Sequence, residues 1–280
     1  MSLQNINWYP GHMKKTRELI ASNLKLVDIV IEVIDARIPI SSRNPVIDEL
    51  TAGKQRIIIL NKSDLSDGKE NKRWIEKLSK DGSKVMTLDS MHGVGIKELL
   101  NLMSKIEDDI NKDRVRKKNL RLMIVGVPNV GKSSLINRLT GKKSAKTGDK
   151  PGVTKGKQWL TLSNGMQLLD TPGILWPKFE DENVGIKLAF CGSIKDEILD
   201  LETLALRLIE LLQEEYPKLL ANRYKLEEIS DEGLVNMDNI ALNRGFILSK
   251  GRIDYSRCAK TVLDEFRSAQ IGRITLERAK

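Results

Sequence analysis

A chain of 280 residues, 40% hydrophobic and 30% charged, has the composition of a globular protein with a full core, and its length suggests one large domain and a smaller one. No run approaches the roughly 18 apolar residues of a membrane span, the N-terminal MSLQNINWYPGHMKK lacks the apolar stretch of a signal peptide, and Cys191 and Cys258 form neither a C-x-x-C nor a disulfide framework, so a cytoplasmic protein without structural zinc or membrane contact is expected. The net charge of +9 is uneven: residues 1–177 carry 31 Lys and Arg against 19 Asp and Glu, residues 178–280 carry 16 against 19, and the basic excess points to a polyanion larger than one nucleotide, nucleic acid foremost.

The chain opens on NWYPGHM, an aromatic Pro-Gly turn ending at His12, and continues into a helical pattern in which Leu19, Ile20, Leu24 and Leu26 share one face. Residues 28–39, DIVIEVIDARIP, form a nearly unbroken apolar run that ends in Asp35 and Arg37, the pattern of a buried parallel strand with a polar C-terminal end, where ligands collect in such sheets. A short helix to about Ala52 and a second buried strand, Arg56 to Leu60, lead into NKSD. The Asp64 carboxylate can accept from the N1–H and 2-amino group of guanine, which adenine lacks; Asn61 can bond the opposite base edge, and the Lys62 stem can lie over the ring.

A charged helix, about Asn71 to Lys80, precedes a third strand, Lys84 to Leu88. Ser90, Met91 and His92 follow, at the turn a guanine pocket uses for backbone contact with the base, although His92 taken alone reads better as a water-exposed turn residue. Gly93 and Gly95 release the chain into a helix, Ile96 to Ile110, and a basic connector, residues 111–119.

The strand Leu122 to Gly126 runs into GVPNVGKS at 126–133 and then directly into an amphipathic helix. Strand, glycine-rich loop and helix in this order make a nest of backbone N–H groups at a helix N-terminus, which binds polyphosphate. Asn129, Val130, Gly131, Lys132, Ser133 and Ser134 would surround the phosphates, with Lys132 reaching the β and γ groups and the Ser133 hydroxyl offered to Mg²⁺.

Residues 142–159 read as a loop with three glycines and six lysines, in which Thr154 would join Mg²⁺ in the triphosphate state. QWLTL-SNG-MQLLD reads as a β-hairpin, 158–170, delivering DTPG: Asp170 would hold Mg²⁺ through water and the Gly173 N–H would sense the γ-phosphate. Beyond Pro177 the segments Ile198 to Glu215, Glu232 to Phe246 and Ser256 to Ala269 are helical and strand signals are absent, so residues 178–280 are expected to form an all-α domain.

NKSD, SMH, the phosphate loop, Thr154 and DTPG are a full set of GTP-binding signatures in rotated order, the base-reading half first. With WYPGHM at the start and a helical tail after DTPG, the whole chain resembles the circularly permuted GTPases of the YlqF type that act in ribosome biogenesis. The resemblance implies an α/β fold: a permuted Ras-like P-loop domain with a mainly parallel sheet over 1–177, followed by the helical domain. It implies a cytoplasmic GTPase that binds GTP and GDP with Mg²⁺, assists late assembly of the large ribosomal subunit, binds its rRNA, and is stimulated by the particle. Asn129 occupies the place taken by an asparagine in GTPases that use K⁺.

Ras-like enzymes carry Gln after D-x-x-G to orient the attacking water; here the residue is Ile174. The N-terminal segment fills the helix slot beside the γ-phosphate, so His12 is the nearest polar candidate for that task, with a turn-capping role as its alternative. Arg223, Lys225, Arg244, Lys250 and Arg252 are the candidate RNA contacts on an otherwise acidic tail, and a monomer is expected. The rival reading is a GTP-sensing RNA-binding scaffold with negligible turnover.

Overall fold

A computed structural model describes residues 17–18, 20–141, 158–162, 164–171 and 181–279, with Gln158 and Asp170 described in their backbone only. Six strands make one sheet: β1 (Ile29–Asp35), β2 (Gln55–Asn61), β3 (Lys84–Leu88), β4 (Arg121–Val125), β5 (Gln158–Thr161) and β6 (Gln167–Asp170), in the order β3-β2-β1-β4-β6-β5. All pairings are parallel except the β5–β6 hairpin at one edge. β1 lies between β2 and β4, so the base-reading and phosphate-reading halves share a seam of backbone hydrogen bonds, and the parallel strands end at a common edge.

Period-2 alternation in β1 sends Val30 and Ile34 to one face. There Val30 packs with Ile20 and Leu24 from the helical residues 17–18 and 20–24 (α1), with Ile47 of α2 (Pro45–Leu50), and with Met123, Val125 and Leu169. Ile34 packs instead with Ile58, Leu60 and with Trp74 and Leu78 of α3 (Gly68–Leu78). Glu32, on the same face, separates the two clusters. It is buried, it meets Arg43 at 3.4 Å and Arg56 at 3.5 Å, and Asp48 bonds both arginines. Burial pushes the Glu32 carboxyl up, against the pull of those arginines.

Ile29, Ile31 and Val33, pointing the other way, are equally buried. α4 (Ile96–Asn111) and α5 (Lys132–Thr140) touch each other and bury Leu99, Met103, Leu135 and Leu139.

Local chemistry sets the helix starts. Asn44 accepts from the Val46 N–H ahead of Pro45, Asp67 accepts from the Lys69 N–H, and Gly131 enters α5 at φ 96°. Leu26 departs from expectation: α1 ends at residue 24 and Leu26, in the following turn, is exposed.

The chain divides into two compact units, Met1–Gly185 with Thr275–Lys280, and Ile186–Ile274. The second is helical: α7 (Leu201–Glu215) touches α8 (Pro217–Tyr224), α9 (Gly233–Asn243) and α10 (Tyr255–Arg267). α6 (Glu182–Phe190) and α8 carry helices where none is expected from spacing, and Ile247 and Ile253 form one antiparallel bridge in a region without strand signals.

The expected division at 177/178 lies outside the described residues. Residues 275–279 group with the first unit: Glu277 accepts from N–H groups of the loop after β1, and the Trp74 indole N–H donates to the Glu277 carbonyl at 2.9 Å. Truncating Ile58, which is buried on the central strands, should lower unfolding free energy by about 2 to 5 kcal/mol in the Ile58→Ala variant, read by denaturant titration.

Candidate functional site

Three loops leave the C-terminal edge of the sheet, and one side chain joins them. Asn61, at the end of β2, is fully buried; its Nδ2 donates to the Val130 carbonyl at 2.6 Å and to Ser90 Oγ at 2.9 Å, while its Oδ1 accepts from the Ser90 N–H at 3.0 Å. NKSD, SMH and the phosphate loop are thereby held within hydrogen-bond distance of one another. An asparagine supplies the two donors and the acceptor this needs on one planar group.

The phosphate loop is shaped by two glycines. A Cβ at Gly126, φ 150°, would lie 2.3 Å from the Val33 carbonyl oxygen, and one at Gly131, φ 96°, would lie 2.2 Å from Asn61 Nδ2. Asn129 also has a positive φ, 58°, so the backbone curls through the nest conformation between them. Lys132 is buried and its Nζ donates to the Gly126 and Val127 carbonyls at 3.1 and 2.8 Å, which places an ammonium inside the loop. Ser133 and Ser134 follow in the first turn of α5, half-buried. A concave run of N–H groups at a helix start, an enclosed cation and a hydroxyl make a fit for polyphosphate with Mg²⁺.

The base side holds charge of the opposite sign. Burial and the neighbouring Asp89 carboxylate push the Asp64 carboxyl up, so this group gains from a ligand that presents two donors to it. Ligand atoms of Asp64, Asp89 and His92 all lie within 4.8 Å of one another. Asp89 accepts from the N–H groups of Met91 and His92, both at 2.9 Å, and pairs with the His92 ring nitrogen at 2.6 Å. The Met91 and His92 side chains of this turn are exposed, whereas Ser90 is buried with its hydroxyl on Asn61. Arg138 of α5 fastens it, donating to the carbonyls of Ser90 and Met91.

Lys62, at φ 58°, lies with its Nζ 3.1 Å from Asp35 Oδ2, so its head group is engaged at the strand edge. Asp35 and Arg37 are both buried and form a two-pronged pair, Nε to Oδ1 at 2.9 Å and Nη2 to Oδ2 at 2.7 Å. Burial alone would raise the Asp35 carboxyl, but Arg37 and Lys62 hold it well below the usual carboxylate range. A depressed native value means its stabilising contribution is complete at neutral pH and fades only as pH falls below the ordinary carboxylate value. The polar end of β1 pointed to a ligand edge; its role as an anchor for Lys62 had no local signal.

His12, Thr154 and Gly173 lie outside the described residues, as does the Asp170 side chain. Thr171, next to Asp170, is buried and bonds the Ile124 carbonyl on the phosphate-loop strand. Two of the five candidate RNA contacts are engaged within the helical unit: Arg223 and Arg244 both bond Glu265, at 2.6 and 3.2 Å. Lys225, Lys250 and Arg252 are exposed.

Residues 121–236 match the family described as 50S ribosome-binding GTPase. The chain is 46% identical over 278 residues to the ribosome biogenesis GTPase A of Priestia megaterium, covering 97% of this chain and 96% of that protein. To the ribosome biogenesis GTPase A of Bacillus cereus it is 44% identical over 276 residues, 97% and 93% of the two chains. Among solved structures it is similar to GNP-bound YlqF from T. maritima, with a TM-score of 0.67 and 32% identity over 95% of this chain and 99% of that one.

Since a methyl group at residue 131 would strike the Asn61 amide on a left-handed backbone, Gly131→Ala should cost about 1 to 3 kcal/mol in thermal unfolding and abolish guanine nucleotide binding measured by titration calorimetry.

Proposed function

This chain belongs to the ribosome biogenesis GTPase A family, and from that premise we propose that it times a step in assembly of the large ribosomal subunit, its GTP hydrolysis being stimulated by the particle itself. It is a GTP hydrolase with a guanine nucleotide site on a permuted α/β fold. The observation that carries the reading is the Asn61 carboxamide, whose bonds bring a base-reading loop and a phosphate loop to one edge.

In this reading Asp64 accepts from guanine N1–H and the 2-amino group, the turn Ser90 to His92 meets the base, and Lys132 leaves the loop carbonyls for the β- and γ-phosphates. Residues 129–134 cradle those phosphates. Mg²⁺, when bound, offsets phosphate charge; Ser133, Thr154 and Asp170 would hold it. Asn129 would assist K⁺ beside the phosphates, a charge that an arginine finger supplies elsewhere. The Gly173 N–H senses the γ-phosphate. His12 accepts a hydrogen bond from the attacking water as neutral imidazole, a task Ile174 has no polar group to perform. Lys225, Lys250 and Arg252 are the remaining three of the five candidate positions for rRNA, and a soluble cytoplasmic monomer completes the reading. Among the described residues no helix is long and apolar enough to cross a membrane.

Multiple-turnover phosphate release with and without large ribosomal subunits tests the proposal. The parent should accelerate on the particle, whereas His12→Ala should keep its GTP affinity and lose about 10²- to 10⁴-fold of the stimulated rate, the usual span for a general acid–base or water-orienting group; full stimulation of the variant would return His12 to a turn-capping role. Replacing KCl with NaCl at matched ionic strength should slow hydrolysis severalfold, and equal rates would remove K⁺ from the scheme.

A further inference from the structure

The C-terminal residues of the first unit lie against the two segments that flank the base-reading motif in sequence, the turn after β1 and the start of α3. Leu276 N–H donates to the Arg37 carbonyl at 2.8 Å. Glu277, buried, accepts from the N–H of Ile40 at 2.6 Å, from the N–H of Ser41 at 3.2 Å, and from the Ser41 hydroxyl. On the other flank Thr275 Oγ1 accepts from the Asp67 N–H at 3.1 Å, the Trp74 indole donates to the Glu277 carbonyl, and the Ala279 N–H donates to Glu70 Oε2 at 3.3 Å.

NKSD lies between those two flanks. Residues 36–41 are the turn after β1, and 67–74 begin α3. Lys62 is tied to the first flank through Asp35 and Arg37, the residue whose carbonyl Leu276 holds. A buried carboxylate satisfied by consecutive backbone N–H groups is costly to lose, because both donors would then be left without an acceptor.

We propose that residues 275–279 are a clasp and that Glu277 is a positioning residue for guanine recognition. It acts through the 36–41 turn and the Arg37–Asp35–Lys62 chain to hold Asp64 at the distance the base requires. The proposal rests on the reading of Asn61 to Asp64 as the guanine reader. A misplacement of the acceptor weakens base contacts while leaving phosphate contacts intact, so its signature is selectivity.

The experiment measures affinity for GDP and for IDP, which lacks the 2-amino group, and the dissociation rate of a fluorescent GDP analogue, on full-length Glu277→Ala, Glu277→Gln, Met103→Ala and Asp64→Asn. The parent should prefer GDP by roughly ten- to a hundredfold, the worth of a hydrogen bond to a charged acceptor. Glu277→Ala should lower that preference by about three- to tenfold and speed dissociation by a similar factor, with Glu277→Gln between it and the parent. Met103→Ala, a buried truncation on α4, should lose stability and keep the preference. Parental selectivity and dissociation in folded Glu277→Gln or Glu277→Ala would overturn the clasp, as would an equal loss of preference in Met103→Ala. If Asp64→Asn keeps the GDP preference, the guanine reading itself falls; if it loses the preference and the Glu277 variants do not, only the clasp falls.

Discussion

The Asn61 carboxamide is the constraint on which the site depends. Its partners lie on two other loops, one of them 69 residues further along the chain, and its two donors and one acceptor are all used. In a chain whose base-reading half precedes its phosphate-reading half, no covalent connection of short length brings these loops together. The β1–β4 seam aligns the strand ends, and the amide then fixes the loops to one another. The backbone at residue 131 has to pass against that amide, which explains why a side chain there has no room.

The electrostatics of the edge follow a similar division of labour. Lys132 places a cation inside the phosphate loop, Asp64 and Asp89 bring two carboxylates together on the NKSD side, and the buried Asp35–Arg37 pair holds the Lys62 head group at the strand edge. A buried pair of this kind contributes little net stability compared with apolar packing, yet breaking it strands a charge, so it acts to fix geometry. On the helical unit Glu265 draws Arg223 and Arg244 inward, and the exposed basic positions there are correspondingly fewer than the residue types suggest.

Much of this was legible in the residues because buried parallel strands write themselves as apolar runs: β2 and β4 appear in sequence within a residue of their observed limits, and the run at 28–39 contains β1, which stops four residues earlier, at Asp35. Motif spacing located the phosphate loop and NKSD because their chemistry is local. α8 was missed because it is short and opens on Pro217 directly after α7, where the periodic signal has no length to accumulate. Glu277 gave no signal at all: it is an acidic residue in a polar tail, and its burial is created by backbone N–H groups more than 230 residues earlier. Arg223 and Arg244 looked like surface charge because Glu265 is distant in sequence from both. His12 and Thr154, whose roles depend on loop placement, lie outside the described residues.

The return of residues 275–279 to the first unit sets an order of events during synthesis. Strands β1 to β3 emerge first, and their partners β4 and β6 arrive within the following hundred or so residues, yet the turn at Ile40 and Ser41 receives its acceptor only from Glu277, more than 230 residues later. Contacts of such long sequence separation close late, because the loop entropy must be met before they form. A nascent chain therefore has its sheet before the turn at residues 36–41 is complete, and that turn closes only after the helical residues 186–274 have been made.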